Sequence, residues 1–454
     1  MQSSKQSTNS FSSSLGAIMA AVGSAVGLGN IWRFPYICGK YGGGAFLLVY
    51  LCFVFGIGMV LMMSEFVIGR RSGHTPMKAF ASLSPKRKGW RYIGLLGIIT
   101  CFFILSQYLV ISGWTLSYFF DAIIGRLATM GQDSVAISDY FNIFSTSTVR
   151  PVLFLGIFAL LTAVVILCGV QKGIEAVSKV LMPVLVVLLV LLCVRSLTLP
   201  GASKGLEYLF SPDFSKLTAE GVLAAMGQAM FSLSVGMGVM IVYGSYIPVS
   251  DNLFRTSMWI TASDTFIAIL AGVAIFPAVF SCGMEPTGGP GLSFCVLPSV
   301  FNSMGGVMGT IFASMFFLLL GIAALTSAIS LLEALSAWLV ETLRGRRWTA
   351  TLLIVLAEFV LASVVSLSNG VWSHFHITGI TFFDFVDKLN SIYLPPLCAF
   401  GTVIFEAWVM PSADVRDELS NHGTLRAAYY PAFRFIIRWL APLALLVVFV
   451  SSFF

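Results

Sequence analysis

The fold class predicted by this sequence is an all-α polytopic membrane protein of about 11 transmembrane helices, arranged as five-plus-five inverted repeats with helices 1 and 6 discontinuous. Three observations carry that expectation. The 454-residue chain is 57% hydrophobic and 10% charged, where soluble domains are about 25% charged, and its mean hydropathy is +0.92. Its apolar residues gather into runs separated by short polar joints, and about 20 such residues suffice to cross a hydrocarbon core. Finally, AVGSAVGLGNIWRFP at 21–35 is echoed by FSLSVGMGVM at 231–240, so that two apolar runs carry the same kind of glycine interruption.

The runs fall at roughly 13–39, 43–69, 91–125, 151–169, 174–195, 219–246, 254–281, 309–341, 348–367, 380–410 and 429–453. None alternates with period two, which argues against a β-barrel. Arg70, Arg71, Lys78, Lys86, Arg87, Lys88 and Arg91 crowd the second joint, and Arg344, Arg346 and Arg347 the eighth. By the positive-inside bias both face the cytoplasm. The N-terminus is therefore expected inside the cell and the C-terminus outside it or in the periplasm, in a multi-pass plasma (inner) membrane protein. This divides the chain into a cytoplasmic tail (1–12), a first repeat (13–195), an external loop (196–218), a second repeat (219–410), and a cytoplasmic loop with helix 11 (411–454). The polar, Ser-rich start precedes no A-x-A cleavage site, so a cleaved signal peptide is not expected.

Other functional classes find little support. The sequence contains no HExxH, nucleophile elbow or phosphate loop, which disfavours an ordinary enzyme. The net charge of +6 sits at particular joints and points to topology rather than to a nucleic-acid partner. No obligate protein partner is evident. The eight cysteines lack CxxC spacing and read as packing residues, with a Cys282–Cys295 bridge as the alternative for that pair. His74, His374, His376 and His422 all lie in joints, against an intramembrane metal site or proton relay. The joint at 282–308, containing GMEPTGGPGLSFCVLPSVF, reads either as a lid dipping toward a vestibule or as a surface loop with a short helix.

A single GxG in an apolar helix is commonly a packing device. Two in corresponding places of two halves point to broken helices and a site at mid-membrane. Each glycine lowers helix propensity by about 1 kcal/mol, and unwinding exposes N–H and C=O groups that hydrocarbon cannot satisfy. Half-helix N-termini suit a carboxylate, and freed carbonyls suit a monovalent cation. An amino acid beside sodium meets both demands.

AVGSAVGLGNIWRFP followed by YGGGAFLLVY, then FSLSVGMGVMIVYGSY, then LTSAIS at 325–330 together resemble the neurotransmitter:sodium symporter family, in particular its bacterial amino-acid branch. That family is itself a standard example of inverted repeats in transporters, so the repeat logic is inherited from it. The resemblance implies two sodium ions. One would be held by the Ala25 carbonyl, Asn30, Ser232, Asp264 and the substrate carboxylate; the other by the carbonyls of Gly23, Val26 and Ala323 with the hydroxyls of Thr326 and Ser327. Without the resemblance, those two hydroxyls read as bonding back to their own helix. Asp264 stands where chloride-dependent relatives typically hold asparagine, which implies transport with no chloride required. A charge at that depth costs about 2.5 to 3.5 kcal/mol, so Asp264 is expected to have a cationic partner.

The implied substrate pocket comprises Ser24, Ala25, Gly29, Ile104, Tyr108, Phe231, Ser234, Met237, Ala328 and Leu331. It is mostly apolar, and Gly27 stands where monoamine transporters carry an aspartate, so the ligand should bring its own carboxylate. Hydrophobic L-amino acids, aliphatic and aromatic, are the expected substrates. Arg33 would gate the outer side by pairing with Asp387, or with Asp384 as the alternative, near Gln228; a snorkelling interfacial arginine is the other reading. Ser245, Tyr246 and Glu341 match the family's inner gate. Thr8 and Phe11 replace the arginine and tryptophan of relatives, which leaves the partner of Glu341 open, with Lys5 the only nearby cation. Gly173 and Pro183 in the fifth span suggest either local unwinding that admits water to the second cation site or a packed kink. Eleven segments are expected here against the twelve of many relatives, a departure that bears on the family's dimer contacts. Two rivals remain: an amino-acid sensor that binds without transporting, and an intramembrane hydrolase using Ser232 or Ser234.

Overall fold

The computed structural model describes residues 11–284 and 291–451. Lys5 and Thr8 lie outside the described residues. Helix 1 consists of Ser14–Ala25 and Gly29–Lys40, bent by 44° at the break. Helices 2 to 5 are Gly44–Ser72, Lys88–Ile123, Val149–Leu167 and Val170–Leu197. Helix 6 is again in two pieces, Ala219–Ser232 and Val239–Tyr246. Helices 7 to 11 are Leu253–Ser281, Gly306–Leu343, Arg347–Leu367, Phe382–Val409 and Tyr430–Ser451. Among the described residues nine helices are unbroken spans by length and composition. The two broken ones supply the rest of the expected order.

Local chemistry sets many of the boundaries. Ser13 caps helix 1 by accepting from the Gly16 amide at 3.0 Å, and Asn252 caps helix 7 by accepting from the Arg255 amide at 3.0 Å. Helix 2 stops at Gly73 in the left-handed region, φ 64°. Burial then sorts the helices into layers. Helix 8 is 78% buried over its apolar window and helix 3 is 67%, whereas helices 5 and 11 are each 33% buried. Helices 3 and 8 pack on each other at the centre, helices 1 and 6 lie against this pair, and the outer helices turn apolar side chains such as Leu161, Val187 and Leu443 to the lipid.

The two breaks face one another. Helix 1 leaves α geometry at Val26 (φ −74°, ψ 100°) and resumes through a π-turn, Gly29–Arg33. Helix 6 unwinds over residues 233–238, with Ser234, Gly236 and Gly238 at φ 54°, 81° and 75°. Glycine is doubly required at 236, because of that φ and because a Cβ there would collide with the Pro395 carbonyl.

Cys282 and Cys295 are both free; the Cys282 thiol lies 3.3 Å from the Ser303 hydroxyl. The joint after helix 7 turns inward as the helix Leu292–Ser303. Its Phe294 ring is buried against Trp114, Tyr118, Phe141 and Phe317. Helix 5 is continuous through Pro183, without the unwinding considered for it. The loosening at Gly173 instead takes the form of a π-turn, Val170–Glu175.

Candidate functional site

The break in helix 1 generates acceptors by removing donors. In an unbroken helix the amides of Gly27, Leu28 and Asn30 would bond the carbonyls of Gly23, Ser24 and Val26. Here Gly27 N donates to Asn30 Oδ1 at 3.2 Å, Leu28 N to the Tyr108 hydroxyl at 2.7 Å, and Asn30 N to the Gly27 carbonyl at 3.1 Å. Three carbonyls are thereby freed, and helix 8 meets them. The Ser327 hydroxyl lies 3.4, 3.0 and 3.4 Å from the Gly23, Ser24 and Val26 oxygens. Thr326 Oγ1 lies 3.5 Å from Val26 O and 3.1 Å from Ala323 O. Thr326 also bonds back to Ile322 O of its own helix at 3.2 Å. Two hydroxyl protons cannot serve this many lone pairs at once. The surplus oxygen, with no nitrogen or sulfur donor, suits a hard monovalent cation.

A second oxygen cluster lies on the other side of the break. Asn30 Nδ2 donates to Asp264 Oδ1 at 2.7 Å and to the Asp264 carbonyl at 3.0 Å, and it lies 3.1 Å from the Ser232 hydroxyl. Ser232 donates to Asp264 Oδ2 at 2.6 Å, and the Tyr50 hydroxyl stands 3.5 Å from the same oxygen. Asp264 is fully buried. Among the described residues no Lys or Arg pairs with it, contrary to the expectation of a cationic side chain. Its charge meets neutral donors only, a setting that a bound cation would complete.

Between the breaks lies a small cavity lined by Ser24, Ala25, Gly29, Ile104, Tyr108, Phe231, Ser234, Met237, Ser327 and Leu331. These include every expected pocket residue except Ala328. Ser327 takes that place, because Ser327 and Leu331 sit one turn apart on the same face of helix 8 whereas Ala328 is turned about 100° away. Ile104 and Tyr108 are likewise one turn apart on helix 3. Ser234 donates to the Ser24 carbonyl at 3.1 Å, tying the two breaks together.

Residues 8–145 and 136–454 match the model of the sodium:neurotransmitter symporter family. The chain belongs to this family. It is 39% identical to the uncharacterized sodium-dependent transporter YhdH of Bacillus subtilis (strain 168), over 99% of this chain and 98% of that one. A sodium-dependent serotonin transporter of Drosophila melanogaster is 27% identical over 96% of this chain and 75% of its own length. The crystal structure of MhsT in complex with L-phenylalanine superposes with a TM-score of 0.90 at 41% identity, covering 98% of this chain and 99% of that one. The family is one of sodium-dependent transporters rather than enzymes.

On the side of the symporter away from the helix 1 N-terminus, a second small cavity is lined by Trp32, Arg33, Tyr36, Gln107, Asp387 and Asn390, among others. Ile104, Tyr108 and Phe231 line both cavities and form the partition. The expected Arg33–Asp387 ion pair is not formed. The Arg33 guanidinium lies over the Phe231 ring, 4.7 Å from its centroid, and Asp387 accepts instead from Gln107 Nε2 at 2.6 Å. Asp384 is not at the cavity: it lies in the first turn of helix 10, bonded to the Thr381 hydroxyl at 2.7 Å. Gln228 Nε2 donates to the Gly29 carbonyl at 2.8 Å, where helix 1 resumes after the break.

At the opposite end three expected gate residues do not form one group. Ser245 bonds back to the Val242 carbonyl at 2.6 Å. Tyr246 donates to Glu333 at 2.9 Å, and Glu333 pairs with Arg347. Glu341 takes its partners from the joint after helix 2, namely His74 Nδ1 at 2.6 Å, the Thr75 amide at 3.1 Å and Lys78 Nζ at 3.7 Å. Phe11 is buried, its ring edge-on to Tyr243 and Tyr246 at 5.7 and 6.0 Å. Sequence reasoning missed Glu333, Arg347 and Glu175. A carboxylate inside the long apolar run of helix 8 was the available signal for Glu333, since an ionisable group at that depth needs a reason to be there; Glu175 stands at the edge of its run, between Lys172 and Lys179, and carried no such signal.

Proposed function

We propose that this symporter imports hydrophobic L-amino acids, aliphatic and aromatic, together with two sodium ions and without chloride, by alternating access. The observation that carries this reading is the cavity between the breaks. Its walls are Ile104, Phe231, Met237 and Leu331, and oxygen clusters around Asp264 and around Thr326 and Ser327 flank it. The superposition with a relative crystallised with L-phenylalanine supports the substrate class. Asn30, Ser232, Asp264 and the Ala25 carbonyl would hold one ion beside the substrate carboxylate. Gly23, Val26, Ala323, Thr326 and Ser327 would hold the other. The Tyr108 hydroxyl, already a partner of helix 1, is placed to donate to that carboxylate. Backbone near Phe231 and Ser234 would take the ammonium.

In this reading the helix 1 N-terminus faces the cytoplasm of a plasma membrane, and each charge moving down 100 mV contributes about 2.3 kcal/mol to uptake. Uptake of radiolabelled leucine and phenylalanine into proteoliposomes, under a sodium gradient with potassium as control, tests it. Concentrative, sodium-dependent accumulation is the expected result. Saturable binding without accumulation would replace it with the sensor reading, and uptake indifferent to sodium would overturn it.

A further inference from the structure

Among the described residues, Glu341 finds its partners in the joint after helix 2, in His74, Thr75 and Lys78. Another carboxylate gathers the chain start instead. Glu175, at the foot of helix 5, has a side chain only 2% exposed. It accepts from the Ser12 amide at 2.8 Å, from the Ser12 hydroxyl at 2.5 Å, from the Ser13 hydroxyl at 3.3 Å and from Lys179 Nζ at 2.7 Å. Ser13 is also the cap of helix 1, so one carboxylate holds both the cap and the residue before it.

The approach is so close that a Cβ at Gly16 would collide with the Glu175 carboxylate. Seven residues further along helix 1, a Cβ at Gly23 would lie 3.4 Å from the Ser178 hydroxyl and 3.8 Å from the Met182 methyl group. Glu175, Ser178 and Met182 share one face of helix 5 by their spacing. Helix 1 is thus pressed on helix 5 at two glycines. The upper one supplies a carbonyl to the Thr326–Ser327 cluster, and the lower one sits against Glu175.

We propose that Glu175 is a clasp that ties the start of helix 1 to helix 5 and couples closure of this end of the path to occupancy of the Thr326–Ser327 cation cluster. The coupling rests on the sodium-symport reading; the clasp itself does not. Cation bound to the Gly23 carbonyl fixes the upper contact and keeps the lower one in register. When the cation leaves, helix 1 is free to pivot, and the clasp is the remaining restraint on residues 11–16. Glu175 acts through helix 1 and is a positioning residue.

Hydrogen-exchange mass spectrometry on the full chain in nanodiscs, across a sodium titration, tests this. In Glu175→Gln and in Ser12→Asp, which sets a second carboxylate against the first, amides of residues 11–25 should exchange about tenfold faster, in line with the loss of a hydrogen bond to a charged group. The sodium concentration that half-protects them should rise severalfold. Ser12→Ala, which keeps the amide bond, should show a smaller effect in the same direction. Helix 8, Gly306–Leu343, should be unchanged. Unaltered exchange at 11–25 in all three variants would overturn the clasp, as would equal acceleration in helix 8, which marks general unfolding. Faster exchange with an unmoved sodium midpoint would overturn the coupling. Absence of sodium-driven uptake by the wild type would sink the proposed function while leaving the exchange result at 11–25 intact.

Discussion

The breaks in helices 1 and 6 answer different problems. In helix 1 the interruption is short, and side chains from elsewhere seize its amides: Asn30 takes Gly27 N and Tyr108 takes Leu28 N. What remains exposed is carbonyl oxygen. In helix 6 the interruption runs over six residues, three of them at positive φ, and Glu65 takes the Gly236 amide at 2.7 Å. What remains there is room, bordered by Met237 and Phe231. One break handles charge and the other handles shape, so substitutions around them should fail in distinguishable ways.

The largest effect is expected at Asp264, the buried carboxylate beside the helix 1 break. Asp264→Asn should lower sodium-driven uptake in chloride-free medium about a hundredfold, the scale set by a charge at membrane depth. Wild-type uptake should be unchanged when gluconate replaces chloride, and a fall would remove the assignment of Asp264 as the resident negative charge. Next is Gly27→Ala, whose methyl group would collide with the Ser327 and Tyr108 hydroxyls. Overpacking of this kind costs about 1 to 3 kcal/mol, so scintillation-proximity binding should weaken roughly ten- to hundredfold.

Tyr108→Phe strands the Leu28 amide and should weaken amino-acid binding about tenfold while leaving it sodium-dependent. Smallest is Met237→Ala, in the helix 6 break. It should change the ratio of phenylalanine to leucine affinity by less than about tenfold, because apolar pockets discriminate weakly. Its sodium half-saturation should stay at the wild-type value. If that value moved, the division between charge and shape would be lost.

The spans, both breaks and the residues around them are legible in the sequence because their chemistry is local: glycine pairs, hydroxyls and one acid standing in otherwise apolar runs. Side-chain partners across the fold are less so. Arg33 and Asp387 reach the same cavity, but the Phe231 face and the Gln107 amide compete for them, and register along a helix carries no information about such competitors. Glu341 has no partner legible in the sequence because the basic joint after helix 2 reads there as a topology signal, not as a source of ligands. Glu175 and Glu333 lie far along the chain from the glycine pairs, and only folding brings them to the ends of the broken helices. Ala328 is displaced from the cavity by a single position, one residue's rotation about the helix 8 axis.

That axis imposes a constraint of its own. Gly306–Leu343 is one unbroken rod of 38 residues, and it carries Ser327 and Leu331 at the cavity, Glu333 on Tyr246 and Glu341 on His74. Adding or deleting one residue between Ser327 and Glu341 would rotate everything below it by about 100° and shift it by about 1.5 Å, parting the ligands from the acids that close the far end. Descendants of this chain can therefore exchange letters along the rod between those contact positions, but they cannot change its length.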